Sequence, residues 1–275
     1  MIEIKNVSKT FTTITPQGEK KELSVLQSVS LEIKDGEFVS LIGPSGCGKS
    51  TLLEIIAGLQ IPSTGEVYID GKIVLEPMSG GNGKVKKSIF SPLANRLFKD
   101  FHRFDIAMVF QDYAVFPWMT CLENVTFVLK LRGMPKKERV VVANQYLDMV
   151  GLSNAGDKYP SQLSGGMRQR LALARALSIK PKIIFMDEPF GAVDCLTRER
   201  LQEDLLRIWE AIHKTIVYVT HDIAEAVYLS DRVIAFSPYT KTIHKIIQVN
   251  MARPRNLTHP DVKMIRDEIR EVFNQ

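Results

Sequence analysis

The sequence predicts an α/β fold built around a parallel sheet, because its longest apolar runs have the pattern of strands buried on both faces. Such strands are nearly continuous in apolar residues, whereas strands with one exposed face alternate. Helical segments separate the runs, which is the alternation expected of an α/β protein. The four runs are residues 38–42, 106–110, 183–186 and 216–219.

The first 75 residues predict a second, antiparallel sheet region. Apolar and polar residues alternate at 2–4 and again at 29–33, which is typical of strands with one buried face. Asp-Gly pairs stand at 35–36 and 70–71. Since this dipeptide favours the tight turns that join paired strands, we expect a hairpin at each position.

Length and composition are those of a globular protein with one large domain. The chain has 275 residues, 45% of them hydrophobic and 24% charged. No apolar run approaches the ~20 residues of a transmembrane helix, and residues 1–5 lack the layout of a signal peptide. We therefore expect a cytosolic chain that depends on another polypeptide if it acts at a membrane. Cys47, Cys121 and Cys195 form no metal-like pairs and agree with a reducing compartment.

Residues 76–103 have the composition of an insertion. They begin with loop-forming residues and continue with apolar residues at a four-residue spacing, which predicts a short amphipathic helix. Residues 84–103 hold six basic residues and one acid, and so carry the whole net charge of +5. Because this charge is local, we expect no nucleic-acid partner. The segment is either a locally packed decoration or a contact with anionic lipid or a partner through Lys84, Lys86 and Lys87.

The tail at 261–273 repeats apolar residues at helical spacing. Val262, Ile265, Ile269 and Val272 would lie on one face of a helix. We expect this helix to pack back on the domain through that face.

A phosphate-binding loop is the most specific motif of the chain. The glycines let backbone N–H groups converge on phosphate oxygens, and the following helix points its positive end at the same anion. Lys49 is expected to reach the β and γ phosphates of ATP, and the Ser50 hydroxyl to ligate Mg²⁺. The motif comprises Gly43, Pro44, Ser45, Gly46, Cys47, Gly48, Lys49 and Ser50, followed by Thr51.

Polar residues also follow the other three buried strands at their carboxyl ends. They are Gln111, the pair Asp187 and Glu188, and His221. Ligands of open α/β sheets bind outside these ends, so we expect one site. Asp187 would hold the Mg²⁺, and Glu188 would orient or deprotonate the attacking water. His221 is a candidate for the γ-phosphate and Gln111 for the metal or the water, while solvated acids and a structural histidine are the alternatives.

A second candidate anion site precedes a later helix. Ser164, Gly165 and Gly166 stand at its start, where a helix N-terminus favours an anion. A small enzyme with one nucleotide rarely needs two such sites. Two chains docked head to tail would use both, each helix end closing on the other chain's γ-phosphate. The alternative is a plain helix cap.

Taken in this order, the motifs resemble those of ATP-binding cassette (ABC) transporter subunits over nearly the whole chain. The P-loop is identified as the Walker A motif, Gln111 as the Q-loop, and residues 163–166 as the signature. Residues 183–188 match Walker B, residues 191–194 match the D-loop that ends at Asp194, and residues 220–222 match the H-loop. Phe11 falls where the family has an adenine-stacking aromatic, with a core position as the alternative.

The resemblance implies a P-loop NTPase (RecA-like) core with an N-terminal antiparallel β subdomain and an inserted α-helical signature subdomain. It implies one ABC ATPase domain over 1–275, in which two copies bind MgATP between Walker A of one and the signature of the other. The regions expected are the β subdomain with the Walker A core at about 1–75, the insertion at 76–103, the helical subdomain at about 112–175, the Walker B and H-loop core at about 176–249, and a helical tail at about 250–275.

Within the family, the chain is most similar to the nitrate, sulfonate and taurine importers. The matching residues lie at 116–118, 122–125, 187–192, 221–227 and 253–255. This implies an ATPase on the cytoplasmic face of the membrane that energises import of a small anion, with a solute-binding protein as an indirect partner. Residues 111–135 would contact the membrane permease, with Phe116 and Trp118 as anchors or, alternatively, as core residues.

The chain departs from the family pattern at Met167, where the signature usually ends in glutamine. Soluble ABC proteins that act on ribosomes or DNA are the rival interpretation. Ribosomal ones resemble tandem cassettes, and this chain has one Walker A motif. DNA-repair ATPases carry coiled coils or zinc modules between Walker A and the signature, and neither pattern is present there. A metabolic P-loop kinase would have no use for the signature.

Overall fold

The computed structural model describes residues 1–14, 18–75, 105–191 and 193–274. The insertion predicted at 76–103 lies outside the described residues. The described chain divides into two compact units, one formed from residues of 1–104 and 219–275 and the other from 105–218. Its strands and α-helices are β1 Ile2–Ile14, β2 Lys20–Ile33, β3 Phe38–Ile42, α1 Lys49–Ile56, β4 Thr64–Ile69, β5 Lys72–Leu75, β6 Ile106–Val109, α2 Cys121–Leu131, α3 Lys136–Met149, α4 Gly165–Ser178, β7 Ile183–Asp187, α5 Cys195–Ile212, β8 Thr215–Thr220, α6 Ile223–Leu229, β9 Arg232–Phe236, β10 Ile243–Gln248 and α7 Pro260–Asn274.

An antiparallel sheet with strand order β2-β1-β4-β5 forms part of the first unit. Ile2 of β1 pairs with Ile33 of β2 on one side and with Ile69 of β4 on the other, and all three are buried. The predicted N-terminal sheet is therefore confirmed. The Asp70-Gly71 hairpin is confirmed as well, since both residues have positive φ (51° and 70°) and join the antiparallel strands β4 and β5.

The hairpin predicted at Asp35-Gly36 is wrong. These residues do form a turn, but β2 before it pairs with β1 and β3 after it pairs in parallel with β9. Every residue of β3 is buried, so this strand belongs in a sheet that is covered on both faces. The turn thus moves the chain from one sheet to the other.

The rest of the first unit is a layered α/β arrangement. Strands β10, β9 and β3 are neighbours in that order, with β9 parallel to β3 and antiparallel to β10. Helix α6 packs on β3, and α7 packs on α6 and β10. Val262, Ile269 and Val272 of α7 lie in one buried cluster with Ala226 and Val227 of α6. The predicted tail helix and its packing are therefore confirmed.

The second unit combines residues 215–218 of β8 with β7 and β6, in that order, and its described residues form the four α-helices α2, α3, α4 and α5. Strands β6 and β7 run parallel, with Val109 opposite Met186. Helices α2, α3 and α4 pack against one another. Across the described residues, we find no helix with the length and apolar character needed to span a membrane.

Candidate nucleotide-binding site

The P-loop connects the buried strand β3 to helix α1, as the sequence predicts. Gly48 is the N-cap of α1 and has a left-handed conformation (φ 98°). Lys49 begins the helix and is only 4% exposed. Its ammonium group donates to the carbonyl oxygens of Gly43 at 2.8 Å and Pro44 at 3.0 Å. The lysine charge is thereby held inside the curve of the loop, at the positive end of α1.

Two of the loop glycines are fixed by close approach of the surrounding backbone. A methyl group on Gly48 would lie 2.5 Å from Leu26 Cδ2 and 2.7 Å from the Val25 carbonyl oxygen, and one on Gly43 would lie 3.0 Å from the Phe236 carbonyl oxygen. A side chain at position 48 would displace backbone atoms, and one at position 43 would crowd the Phe236 carbonyl oxygen. Glycine is therefore the residue that fits both positions.

Cys47 packs inside the same loop and is buried. Burial raises the pKa of its thiol, with the charge of Lys49 opposing the effect in part. The thiol is therefore protonated at neutral pH, and a protonated thiol is a poor nucleophile.

Gln111, Asp187 and Glu188 meet at the carboxyl edge of the second unit. Val109 of β6 pairs with Met186 of β7. Gln111 lies two positions after Val109, and Glu188 lies two positions after Met186. The side chains of Gln111 and Glu188 both lie near Gly191, since a methyl group on it would be 3.6 Å from Gln111 Nε2 and 3.7 Å from Glu188 Oε2. Glu188 has a φ of 41°, a left-handed conformation that in a non-glycine residue is concentrated at functional sites.

The signature residues lie at the start of helix α4. Ser164 is the N-cap, and its hydroxyl accepts a hydrogen bond from the Met167 N–H at 3.3 Å. Gly166 is buried where α4 meets α5, and a methyl group on it would lie 2.8 Å from Thr197 Cγ2. Ser164 therefore caps helix α4, as the alternative interpretation expected. Gly165, the first residue of this helix, is partly exposed.

His221 belongs to the first unit, between β8 and α6. It is exposed, and both of its sequence neighbours are bonded to the first turn of α6. The Asp222 carboxylate caps α6 by accepting from the N–H groups of Ala224 at 2.8 Å and Glu225 at 3.3 Å. The Thr220 hydroxyl bonds the Glu225 carboxylate and accepts from the Asp222 N–H at 3.0 Å.

A family model described as "ABC transporter" matches residues 26–191, which is more than half of the chain. The chain belongs to the ABC transporter family. It is therefore an ATP-binding subunit that hydrolyses ATP to energise a membrane transporter, and the α/β fold with a P-loop NTPase core is confirmed.

Several transport proteins resemble this ABC ATPase along its full length. A nitrate import ATP-binding protein of Synechocystis is 39% identical over 98% of this chain and 93% of its own length. An aliphatic sulfonates import ATP-binding protein of Bacillus thuringiensis is 39% identical over 99% of this chain and 95% of its own length. A bicarbonate transport ATP-binding protein of Synechococcus elongatus is 42% identical over 100% of this chain, which spans only 38% of that larger protein.

Among solved structures, the ABC ATPase is similar to a dimeric ATP-binding cassette in a post-hydrolysis state, bound to ADP and phosphate. The sequence identity is 36%, the TM-score is 0.73, and the match covers 92% of this chain and 100% of the other. The transport names of the relatives favour the predicted transport function over the ribosome or DNA alternative.

Phe11 of the ABC ATPase is not a core residue. It is partly exposed on β1, and the ammonium group of Lys9 lies 4.9 Å from the centre of its ring. The Lys9 ammonium also donates to the Ile61 carbonyl oxygen at 2.6 Å. The cation lies over one face of the ring, so adenine would have to stack on the other face, and that assignment stays a prediction.

Sequence reasoning missed Arg175, which holds the segment that follows Gln111. The Arg175 guanidinium donates to the carbonyl oxygens of Ala114 at 2.6 Å and Tyr113 at 3.1 Å, and lies 5.5 Å from the ring centre of Phe116. Tyr113 and Ala114 both have positive φ. Burial lowers the pKa of this guanidinium, with the charge of Asp112 opposing the effect. Helix α4, which carries the signature, is thus tied to the Q-loop within one unit.

Replacing Lys49 with alanine should weaken ATP binding by about 10- to 100-fold, because charge-assisted hydrogen bonds to phosphate are lost. Titration calorimetry with ATP measures the change. Lys245→Ala is the matched control, since Lys245 forms an exposed ion pair with Glu268. Equal affinity in the Lys49 variant and the wild type would remove Lys49 from the phosphate site.

Proposed function

We propose that the chain energises an importer of a small anion such as nitrate, a sulfonate or taurine. The observation that carries the proposal is its similarity, over at least 93% of their lengths, to relatives named as nitrate and sulfonate import proteins. The chain would act on the cytoplasmic face of the membrane, as a peripheral subunit. Its own residues supply the ATPase chemistry, and other subunits select the anion.

ATP and Mg²⁺ are the proposed ligands of the P-loop and the carboxyl edge of the sheet. The P-loop suits an anion, because the buried ammonium group of Lys49 lies at the N-terminus of a helix. The proposed metal donors are the oxygens of Ser50, Gln111 and Asp187. Hydroxyl, amide and carboxylate oxygens are the hard donors that Mg²⁺ prefers together with phosphates and water. When bound, Mg²⁺ neutralises charge on the transferred phosphoryl group.

Glu188 is the proposed general base of hydrolysis. Its carboxylate would accept a proton from the attacking water, and Gln111, which also lies near Gly191, would orient that water. His221 would donate a hydrogen bond to the γ-phosphate from the end of β8. Hydrogen bonds aimed at developing charge lower the barrier, because they are stronger in the transition state than in the ground state.

Two copies of the chain would form a head-to-tail dimer with ATP at both interfaces. Ser164, Gly165, Gly166 and Asp194 of one copy would close on the nucleotide held by the P-loop of the other. The dimeric state of the similar cassette supports this arrangement. ATP would favour the closed dimer to the extent that it binds that state better than the open one. Each copy would be one ABC ATPase domain with the subdivisions predicted from sequence.

The permease would dock on the part of the second unit that includes Trp118. Trp118 is 69% exposed, so its alternative as a core residue is wrong. Its ring centre lies 5.6 Å from that of Phe116, with the two rings tilted by 45°, and Phe116 packs edge-on against Phe127 of α2. A groove beside it has charged residues along its walls, namely Glu123, Lys130, Lys136 and Arg139. An exposed aromatic beside such a groove is a typical anchor of a protein interface.

Trp118→Ala should weaken association with the membrane subunits by at least about 2 kcal/mol, which is the usual cost of truncating an aromatic hot spot. ATP binding to the purified chain should stay unchanged, because Trp118 lies outside the P-loop unit. Recovery of the chain with membranes measures the association. Met264→Ala serves as the control, since Met264 is equally exposed but lies on α7. Unchanged recovery of the Trp118 variant would place the permease contact elsewhere.

Measurements of anion uptake in the source organism identify the transported anion. Deletion of the chain should abolish uptake of one labelled anion among nitrate, taurine, an alkanesulfonate and bicarbonate, and the wild-type chain should restore it. The Glu188→Gln variant should not restore it. If the deletion strain takes up all four anions normally, the anion-import proposal is wrong, whereas the ATPase assignment is unaffected.

A further inference from the structure

The sequence Arg253-Pro254-Arg255, between β10 and α7, places two arginines in the interior of the first unit. Arg255 is 4% exposed, and the Arg253 side chain is 10% exposed. Burial of a guanidinium is costly unless its N–H groups are all directed at acceptors. The hydrogen-bond acceptors of Arg253 and Arg255 therefore indicate the structural role of these side chains.

Arg255 is directed at backbone rather than at solvent. Its guanidinium donates, at 2.6–3.2 Å, to the backbone carbonyl oxygens of Val227, Tyr228, Ser230, Val249 and Met251. Arg253 donates to the Leu229 carbonyl oxygen through Nε at 2.9 Å and Nη2 at 2.7 Å, and pairs with Asp231 at 2.7 Å. The two side chains thus bond four consecutive carbonyls, those of residues 227–230.

These four carbonyls form the C-terminal end of helix α6. The last carbonyls of a helix lack partners within the helix and carry the negative end of its dipole. In this protein the two buried guanidinium groups bind these carbonyl oxygens. Arg255 also donates to the carbonyl oxygens of Val249 and Met251, which follow strand β10. Helix α6 is therefore fixed at its C-terminal end by the segment that leads into the tail.

His221 lies at the opposite end of the same short helix. Helix α6 has seven residues, so its two ends are about 10 Å apart. Asp222 and Thr220, which flank His221, are both bonded to the first turn of α6. Because a helix of two turns moves as one body, any shift at its C-terminal end reaches the backbone of His221.

We propose that Arg255, assisted by Arg253, is a positioning residue for His221 that acts by clamping the C-terminal end of α6. This inference rests on the proposed role of His221 in hydrolysis and adds the residues that set its position. The tail from Val249 to α7 thereby contributes to the ATPase reaction without touching the nucleotide. Burial, reinforced by the charge of Arg253 and opposed by Asp231, lowers the pKa of Arg255 to about 10, so the clamp remains charged at neutral pH.

The test compares Arg255→Met with Ile269→Ala in the purified chain. Ile269 is fully buried in the cluster that joins α7 to α6, so its truncation destabilises the same region while both arginines remain. At a temperature where circular dichroism shows both variants folded, Arg255→Met should lower kcat by about tenfold or more with KM for ATP changed by less than about threefold. Ile269→Ala should change kcat by less than about twofold. Equal kcat losses in the two variants would overturn the clamp.

Arg255→Lys covers the case in which the methionine variant fails to fold. It keeps the cation but loses the fork that reaches several carbonyls, so its kcat should fall below that of the wild-type chain. Wild-type kcat in this variant would contradict a role for the fork.

A double-mutant cycle with His221→Ala identifies the residue through which the clamp acts. If Arg255 acts through His221, then Arg255→Lys should lower single-turnover hydrolysis in the wild-type background and have no further effect in His221→Ala. Additive losses would overturn the clamp and leave the role of His221 intact. An unchanged rate in His221→Ala alone would instead overturn the proposed role of His221, and the positioning role with it.

Discussion

Glu188→Gln is expected to lower the rate of ATP hydrolysis by roughly 10²–10⁴, the usual contribution of a general base. Glutamine has nearly the same shape as glutamate and can still lie beside Gln111 and Gly191, but it cannot accept the proton of the attacking water. ATP binding should persist, because the P-loop is unchanged. The variant should therefore accumulate as an ATP-bound dimer, which size-exclusion chromatography in the presence of MgATP detects.

Glu203→Gln is the matched control for this variant. Glu203 is exposed on α5, so the same loss of charge there should leave hydrolysis unchanged. Wild-type hydrolysis in the Glu188 variant would remove Glu188 from the role of base. If Glu188→Gln abolishes hydrolysis but does not dimerise with ATP, the role of Glu188 as general base is supported. The proposed head-to-tail dimer is then contradicted.

Gly48→Ala is expected to abolish most nucleotide binding and to destabilise the first unit. Alanine at φ 98° is strained, and its methyl group would lie 2.7 Å from the Val25 carbonyl oxygen, so the start of α1 must move. A strained conformation of this kind lowers the free energy of unfolding by about 1–3 kcal/mol. Since Gly48 directly precedes Lys49, ATP affinity should fall by at least about tenfold. Urea denaturation and ATP titration measure the two effects.

The Gly71→Ala variant is the control that separates the effect of backbone strain from the effect of steric contact. Gly71 also has a left-handed φ (70°), but nothing lies within 4 Å of the position its methyl group would take, and the residue forms the hairpin between β4 and β5. This variant should lose stability through strain alone and bind ATP normally. Equal ATP affinities in the two variants would show that the tight packing at Gly48 does not shape the phosphate site.

The P-loop was predictable from sequence because its function depends on residue type at fixed spacing along the chain. Asp187, Glu188 and His221 also follow buried apolar strands, and this pattern is the reason that the sequence predicts one site for them. Strand β9 is an apolar run of the same kind, and the sequence would have supported its prediction. The turn at Asp35-Gly36 was mistaken for a hairpin, because a local turn signal does not determine which strand each neighbour pairs with.

The arginine contacts were not predictable by such reasoning. Arg175, Arg253 and Arg255 bond backbone carbonyls that are up to 62 positions away in the sequence, and a carbonyl has no side-chain signature. Their role depends on which backbone comes near a long side chain once the core has formed. Sequence patterns locate the residues that touch ATP more readily than those that hold such residues in place.

Purification of the tagged chain from membranes of its source organism is the decisive test of the transport function. We expect a polytopic membrane protein to be recovered with the chain in a fixed ratio, and we expect Glu188→Gln to abolish ATP hydrolysis by this complex. Recovery with ribosomal or DNA-bound proteins, and with no membrane protein, would contradict the transport function while leaving the ATPase site unaffected.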